Sequence, residues 1–220
     1  YQLAREPLTF RQLRPLTRSG AAELAASLPA VRQLSESERD HLWRLTAGHP
    51  LAVEYLDSLL TVGERFAGLA ARIEAMIRAR TGQPLPRTEP TELSAATAEM
   101  IACAAGEVMF GELFDRLSVG ARTLLVRASA FRVPVPPDVV AAKPGHVAEC
   151  ENAGFLVTGP GLMLSVHRWT RDELHRRLTE AGLGRQLAAA HRQAAGYWGG
   201  LAAVSPPGHR AALEARSHQE

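Results

Sequence analysis

The stretch 46-TAGHPLAVEYLDSLL-60 decides how the chain is read, because it forces a corner between two helical patterns. Upstream, Leu42, Trp43 and Leu45 recur at helical spacing. Downstream, Leu51, Tyr55, Leu56, Leu59 and Leu60 mark one apolar face at i, i+4, i+5, i+8 and i+9. Gly48 reads as the C′ residue of the first helix, free to turn left-handed. Pro50 reads as the N1 residue of the second, where no backbone N–H is needed. Two helices meeting at an abrupt corner follow from these residues.

Composition bounds what such a chain can be. Its 220 residues suffice for one large domain or two small ones, and 46% of them are hydrophobic. Aromatics are few, so Leu, Ala and Val must fill the core. A formal net charge of +2 gives no electrostatic case for a dedicated nucleic-acid binder. Lys143 is the single lysine, followed by Pro144 and Gly145, so no phosphate loop of the Walker type is present. Cys103 and Cys150 are too few for a disulfide framework, which favours a reduced, cytoplasmic setting. No run of 18 apolar residues and no export signal is visible, so no membrane association is expected.

Working outward, residues 1–16 read as a loop and one edge strand broken by Pro7 and Pro15. A short helix is expected over 20–28. A second opens with Ser35 or Ser37 as N-cap, and a third runs from about residue 65 to Gly82. Residues 82–92, GQPLPRTEPTE, form the clearest linker. Beyond it, 94–117 is one long helix or two short ones with Ser94 as N-cap, and another helix starts from Ser118. A short helix is expected near Pro137, and a further one over GHVAECENAGFL. Two extended runs around Thr158-Gly159-Pro160-Gly161 signal a hairpin. Thr170 with Glu173 reads as the capping box of the next helix. Three helices followed by a hairpin is the order of a winged-helix domain. The chain then closes with a helix over LGRQLAAAHRQAAGYWGGL, a Pro-containing turn and a second helix.

Taken in order, LRPLTRSGAAELAASLP and LTAGHPLAVEYLDSLL resemble the helical lid that follows the nucleotide-binding core in STAND ATPases, signalling relatives of the AAA+ ATPases. That family carries a G-x-P-L element at a helix start, matched here by Gly48, His49, Pro50 and Leu51. The resemblance implies that Pro50 packs against adenine. LFDRLSVGARTLLVRASAFRVPVPPDVV, ENAGFLV and LSVHRW look like the family's winged-helix domain. Its wing-end histidine matches His167, which the resemblance implies touches the β-phosphate of ADP and holds the resting state. The family's Met-His-Asp signature is here Val166-His167-Arg168, so the acid is lost. AAAHRQAAGYW and EARSHQE resemble the first helices of a tetratricopeptide array.

The expected fold is therefore mainly α: a helical lid, a winged-helix domain with a small β-wing, and TPR-like helices. The expected divisions are 1–82 for the end of an NTPase core and the lid, 83–183 for the winged helix, and 184–220 for the array. The expected function is the regulatory part of a STAND NTPase, closed with ADP and open with ATP. This part has no ATPase chemistry of its own and no catalytic or metal-ligating residue. ADP or ATP with Mg would be the parent's cofactors. Its partners would be an upstream core of the same chain, proteins docking on the TPR-like helices, and further copies on activation.

Two rival readings stand beside it: a winged-helix DNA-binding regulator and a passive helical scaffold. A recognition helix needs cationic or amide side chains toward the groove. GHVAECENAGF offers Glu149 and Glu151 and no Arg or Lys. His146 and Cys150, four apart, are half of a metal site with no matching second pair, and Cys150 reads as core. Arg168 reads as a solvated or salt-bridged residue.

Overall fold

The structure, a computed structural model, describes residues 15–205 and Ala215. Among the described residues it holds nine α-helices and one two-stranded antiparallel sheet. The edge strand expected before residue 15 and the second TPR-like helix after residue 205 lie outside the described residues.

The helix starts follow their caps. α1 (Arg18–Ser27) begins where Thr17 accepts from the Gly20 N–H. α2 (Glu36–Leu45) opens with a full capping box between Ser35 and Glu38. α3 (Pro50–Thr61) follows the corner with proline at its first position. α4 (Phe66–Thr81) ends at Gly82, whose φ of 69° supplies the left-handed cap. α5 (Ala95–Arg116) is a single helix of 22 residues capped by Ser94, and α6 (Val119–Ser129) is capped by Ser118.

The segment after α6 departs from expectation, since residues 136–141 form turns and no helix. The residue before it explains this. Val135 exchanges both backbone hydrogen bonds with Leu164, at 2.9 and 2.8 Å, so the chain is extended as it enters Pro136-Pro137. α7 (Pro144–Asn152) then leads to β1 (Leu156–Thr158) and β2 (Leu164–Val166), paired with Leu156 opposite Val166. α8 (Arg168–Glu180) and α9 (Gly184–Val204) complete the described chain.

Packing runs across the proline-rich segment. Its Pro90 is buried, and α5 beyond it lies against both α3 and α4. Tyr55, Leu56 and Leu59 of α3, Leu69, Ile73 and Ile77 of α4, and Ile101, Met109 and Phe110 of α5 belong to one apolar cluster. That cluster continues without a break into Leu124, Leu125, Leu156 and Val166, all buried.

Two notches on α5 seat α8. A Cβ at Gly106 would fall 1.9 and 2.0 Å from atoms of the Trp169 ring, so that ring occupies the space a side chain would need. At Gly111 the same atom would meet the Arg177 guanidinium at 2.8 Å. Around the notches Glu107 pairs with Arg80 of α4 and Arg176 of α8, while Glu173 pairs with Arg176 and Arg177. α9 is held more lightly. Its buried stripe is Ala190, Ala194, Trp198 and Ala202, three of them burying only a methyl group worth about 0.8 kcal/mol, with Leu187, Tyr197 and Leu201 partly buried beside it.

Candidate functional site

The corner is tighter than one glycine explains. Ala47, with φ 48°, is the C′ residue of α2, and Gly48, with φ 68°, follows it. The Gly48 N–H reaches the Trp43 carbonyl at 3.0 Å, and the Ala47 N–H reaches that of Arg44 at 3.1 Å, which is the Schellman pattern. The expectation of Gly48 at C′ is thus corrected by one residue. Gly48 is required for a different reason. Its carbonyl accepts from the Leu16 N–H at 2.9 Å, and a Cβ there would stand 3.0 Å from both the Leu16 N and O. Trp43 Nε1 donates to the Leu16 carbonyl at 2.9 Å, so the entering chain is clamped against the corner from two sides.

Past the corner, His49 is the N-cap of α3 and makes no side-chain capping bond. Pro50 is exposed at the first helical position, while Gly48 and Leu51 are buried. The exposed proline ring therefore lies at a helix mouth whose first-turn N–H groups have no intrahelical acceptor. Burial pushes the His49 imidazole down from its ordinary pKa, and the nearby His167 pushes it further the same way.

His167 itself is exposed and is the N-cap of α8. Its Nδ1 accepts from the Trp169 N–H at 3.2 Å. This corrects the capping box expected at Thr170 and Glu173: the helix starts three residues earlier, with the histidine in the capping role. In the neutral ring a lone pair on Nδ1 leaves the proton on Nε2, so the free nitrogen is a donor. Arg168 is exposed and pairs only loosely with Asp172 at 3.6 Å, as expected of a solvated residue.

Trp169 and Thr170 bring the two histidine-bearing helix starts together. The Trp169 ring centroid is 6.0 Å from that of His49 and 5.6 Å from that of Tyr55. The buried hydroxyls of Tyr55 and Thr170 share a hydrogen bond of 2.6 Å. His49 of the G-x-P-L element therefore faces the Trp169 ring, while His167 at the end of the wing bonds the Trp169 backbone N–H. The sequence marks His49 and Tyr55 only as members of the G-x-P-L element and of an apolar face, and it does not single out Trp169 or Gly106. His49 stands inside the G-x-P-L element and Trp169 two residues after His167, so position alone marked both.

The remaining candidates resolve into structural roles. Both acids of α7 accept hydrogen bonds at element ends, Glu149 at the start of α6 and Glu151 at the last residue of β1. Glu149 takes the Ser118 hydroxyl at 2.7 Å as well as the Ser118 N–H, and Glu151 takes the Thr158 N–H at 3.2 Å. Cys150 is fully buried, its thiol donates to the Ala121 carbonyl at 3.4 Å, and burial pushes its pKa up to about 12. His146 packs over Gly120. Among the described residues no three His, Cys, Asp or Glu side chains gather as a metal site, and no helix is long and apolar enough to cross a membrane.

Comparison with family models, curated proteins and solved structures returned no match.

Proposed function

We propose that the chain is the lid and winged-helix portion of a nucleotide-dependent switch of the STAND type, in which the surface around Pro50 and His167 meets a bound ADP. The observation that carries the reading is the gathering of His49 and His167, at the starts of α3 and α8, around Trp169. A helix start presents unpaired N–H groups and the positive end of the helix dipole, both suited to anions. An exposed proline with no N–H gives the flat face of a base something apolar to lie on. The Nε2–H of His167 supplies a donor for a phosphate oxygen.

In this reading a nucleotide diphosphate bridges lid and winged helix and favours their closed arrangement, and a change of nucleotide shifts the population toward the open one. The α9 helix begins a TPR-like surface for protein partners, the setting is cytoplasmic, and opened copies associate. ADP or ATP with Mg belongs to a core joined to this portion, which performs no ATP turnover itself. DNA readout is disfavoured, because the acids of α7 already serve neighbouring backbone groups and no cation stands on that helix after Lys143.

The test uses the longer protein that this reading requires. His167→Ala removes a hydrogen bond to a charged group, worth about 1.5–3 kcal/mol, and so should weaken ADP binding tenfold or more while raising signal-independent activity. Arg168→Ala is the control and should change neither. Unchanged ADP affinity in His167→Ala would leave His167 as a helix cap alone and remove the reading's support.

A further inference from the structure

A second pair of imidazoles lies where α6, α8 and α9 meet, away from the corner. His175 of α8 is partly buried, and its Nε2 is 3.1 Å from the Oγ of the fully buried Ser129 on α6. The Ser129 hydroxyl proton points to the Val126 carbonyl at 2.9 Å. With that proton used, the His175 Nε2–H is the donor to Ser129. His191 of α9 faces His175 edge to face, with ring centroids 5.3 Å apart. Its Nδ1 is buried and has no hydrogen-bond partner among the described residues.

The charged and titratable groups that bear on His175 are Arg171 and Asp172 of its own helix and His191 of α9. From α6 the facing group is the neutral Ser129. Burial first, then His191 and Arg171, disfavour a charge on His175, and Asp172 opposes them only weakly. The imidazole is held down to about 4. Once α9 leaves, the His191 ring and the burial that α9 contributes leave with it, while Ser129 of α6 stays.

We infer that the seating of α9 on α6 and α8 is proton-sensitive, with a neutral His175 required for α9 to stay docked. The inference is independent of the nucleotide reading. The smaller buried face of α9 is what makes the effect local: Ala190, Ala194, Trp198 and Ala202 are buried, with Leu187, Tyr197 and Leu201 packed beside them, whereas α3 buries seven residues and α5 nine. The sign follows from linkage. A histidine whose pKa is lowered by docking adds stability above its ordinary pKa near 6.5 and loses it as the pH falls below that value. Between pH 7.5 and 5.5 one such group weakens docking by about fivefold to tenfold, the lower figure allowing for screening of a half-buried ring.

Hydrogen exchange of the whole chain at pH 7.5 and 5.5, corrected for intrinsic rates, tests this. Protection of the α9 amides should fall by about that factor while α3 and α5 keep theirs. In His175→Gln, which does not titrate in this range, the α9 ratio should return to about one. Equal α9 protection at both pH values overturns the inference. So does an equal loss in α3 and α5, or an unchanged ratio in the variant. Should His175→Gln fail to fold, an NMR titration of the His175 Hε1 proton in the unaltered chain decides: a midpoint below about 5 upholds the inference, and one near 6.5 overturns it.

Discussion

The hydroxyls of Tyr55 and Thr170, 115 residues apart in sequence, meet at 2.6 Å with both residues fully buried. The bond ties α3, which begins at the corner, to the first turn of α8, which begins at His167. Around it the Tyr55 ring packs edge-on to Phe155 at 5.4 Å, and its neighbour Gly154 leaves room for it.

Tyr55→Phe keeps the ring and strands the Thr170 hydroxyl without water or partner. The expected cost is about 1–3 kcal/mol in urea unfolding. Thr170→Val should cost a similar amount, and the double substitution less than the two together, because no polar group is then left bare. Strict additivity would show that the two hydroxyls do not depend on each other.

At the corner, Ala47 pays for a left-handed backbone that glycine adopts freely, a strain of about 1–2 kcal/mol. Ala47→Gly should therefore be neutral or stabilising, by up to about 1 kcal/mol after the lost methyl burial. Gly48→Ala should destabilise, since its Cβ presses on the Leu16 backbone and its φ is also positive. Thermal unfolding of both variants checks the ordering, and the reverse order would mean that the corner is built otherwise.

Within 82–92, the preferred tryptic site should be Arg87, which lies in exposed coil between two prolines. Arg80 is in α4 and pairs with Glu107, so it should be cut later. Mass spectrometry of early fragments reads this directly. First cleavage at Arg122 or Arg127, inside α6, would contradict the packing described.

How much of this was legible beforehand differs by feature. Caps were readable because they are local: Ser35, Ser94 and Ser118 each bond the N–H three residues on, and Gly82 closes α4. The hairpin was readable for the same reason. The start of α8 was not. Thr170 and Glu173 have the right spacing for a capping box, but the Thr170 hydroxyl is spent on Tyr55, a partner no local pattern reveals. The helix near Pro137 failed similarly, since the strand-like pairing of Val135 with Leu164 comes from far along the chain. Of the candidate site, Gly48, Pro50, Leu51 and His167 were visible as single letters. That His49 faces Trp169 beside His167 depended on how α8 lies across α5.

The notch at Gly106 carries a consequence for how this sequence can vary. Because the Trp169 ring fills the volume of the missing side chain, the two positions are not free choices but one. A lineage that kept tryptophan at 169 would be held to glycine at 106. One that enlarged 106, even to alanine, would have to shrink 169 in the same step, and His49 would then lose the ring it faces.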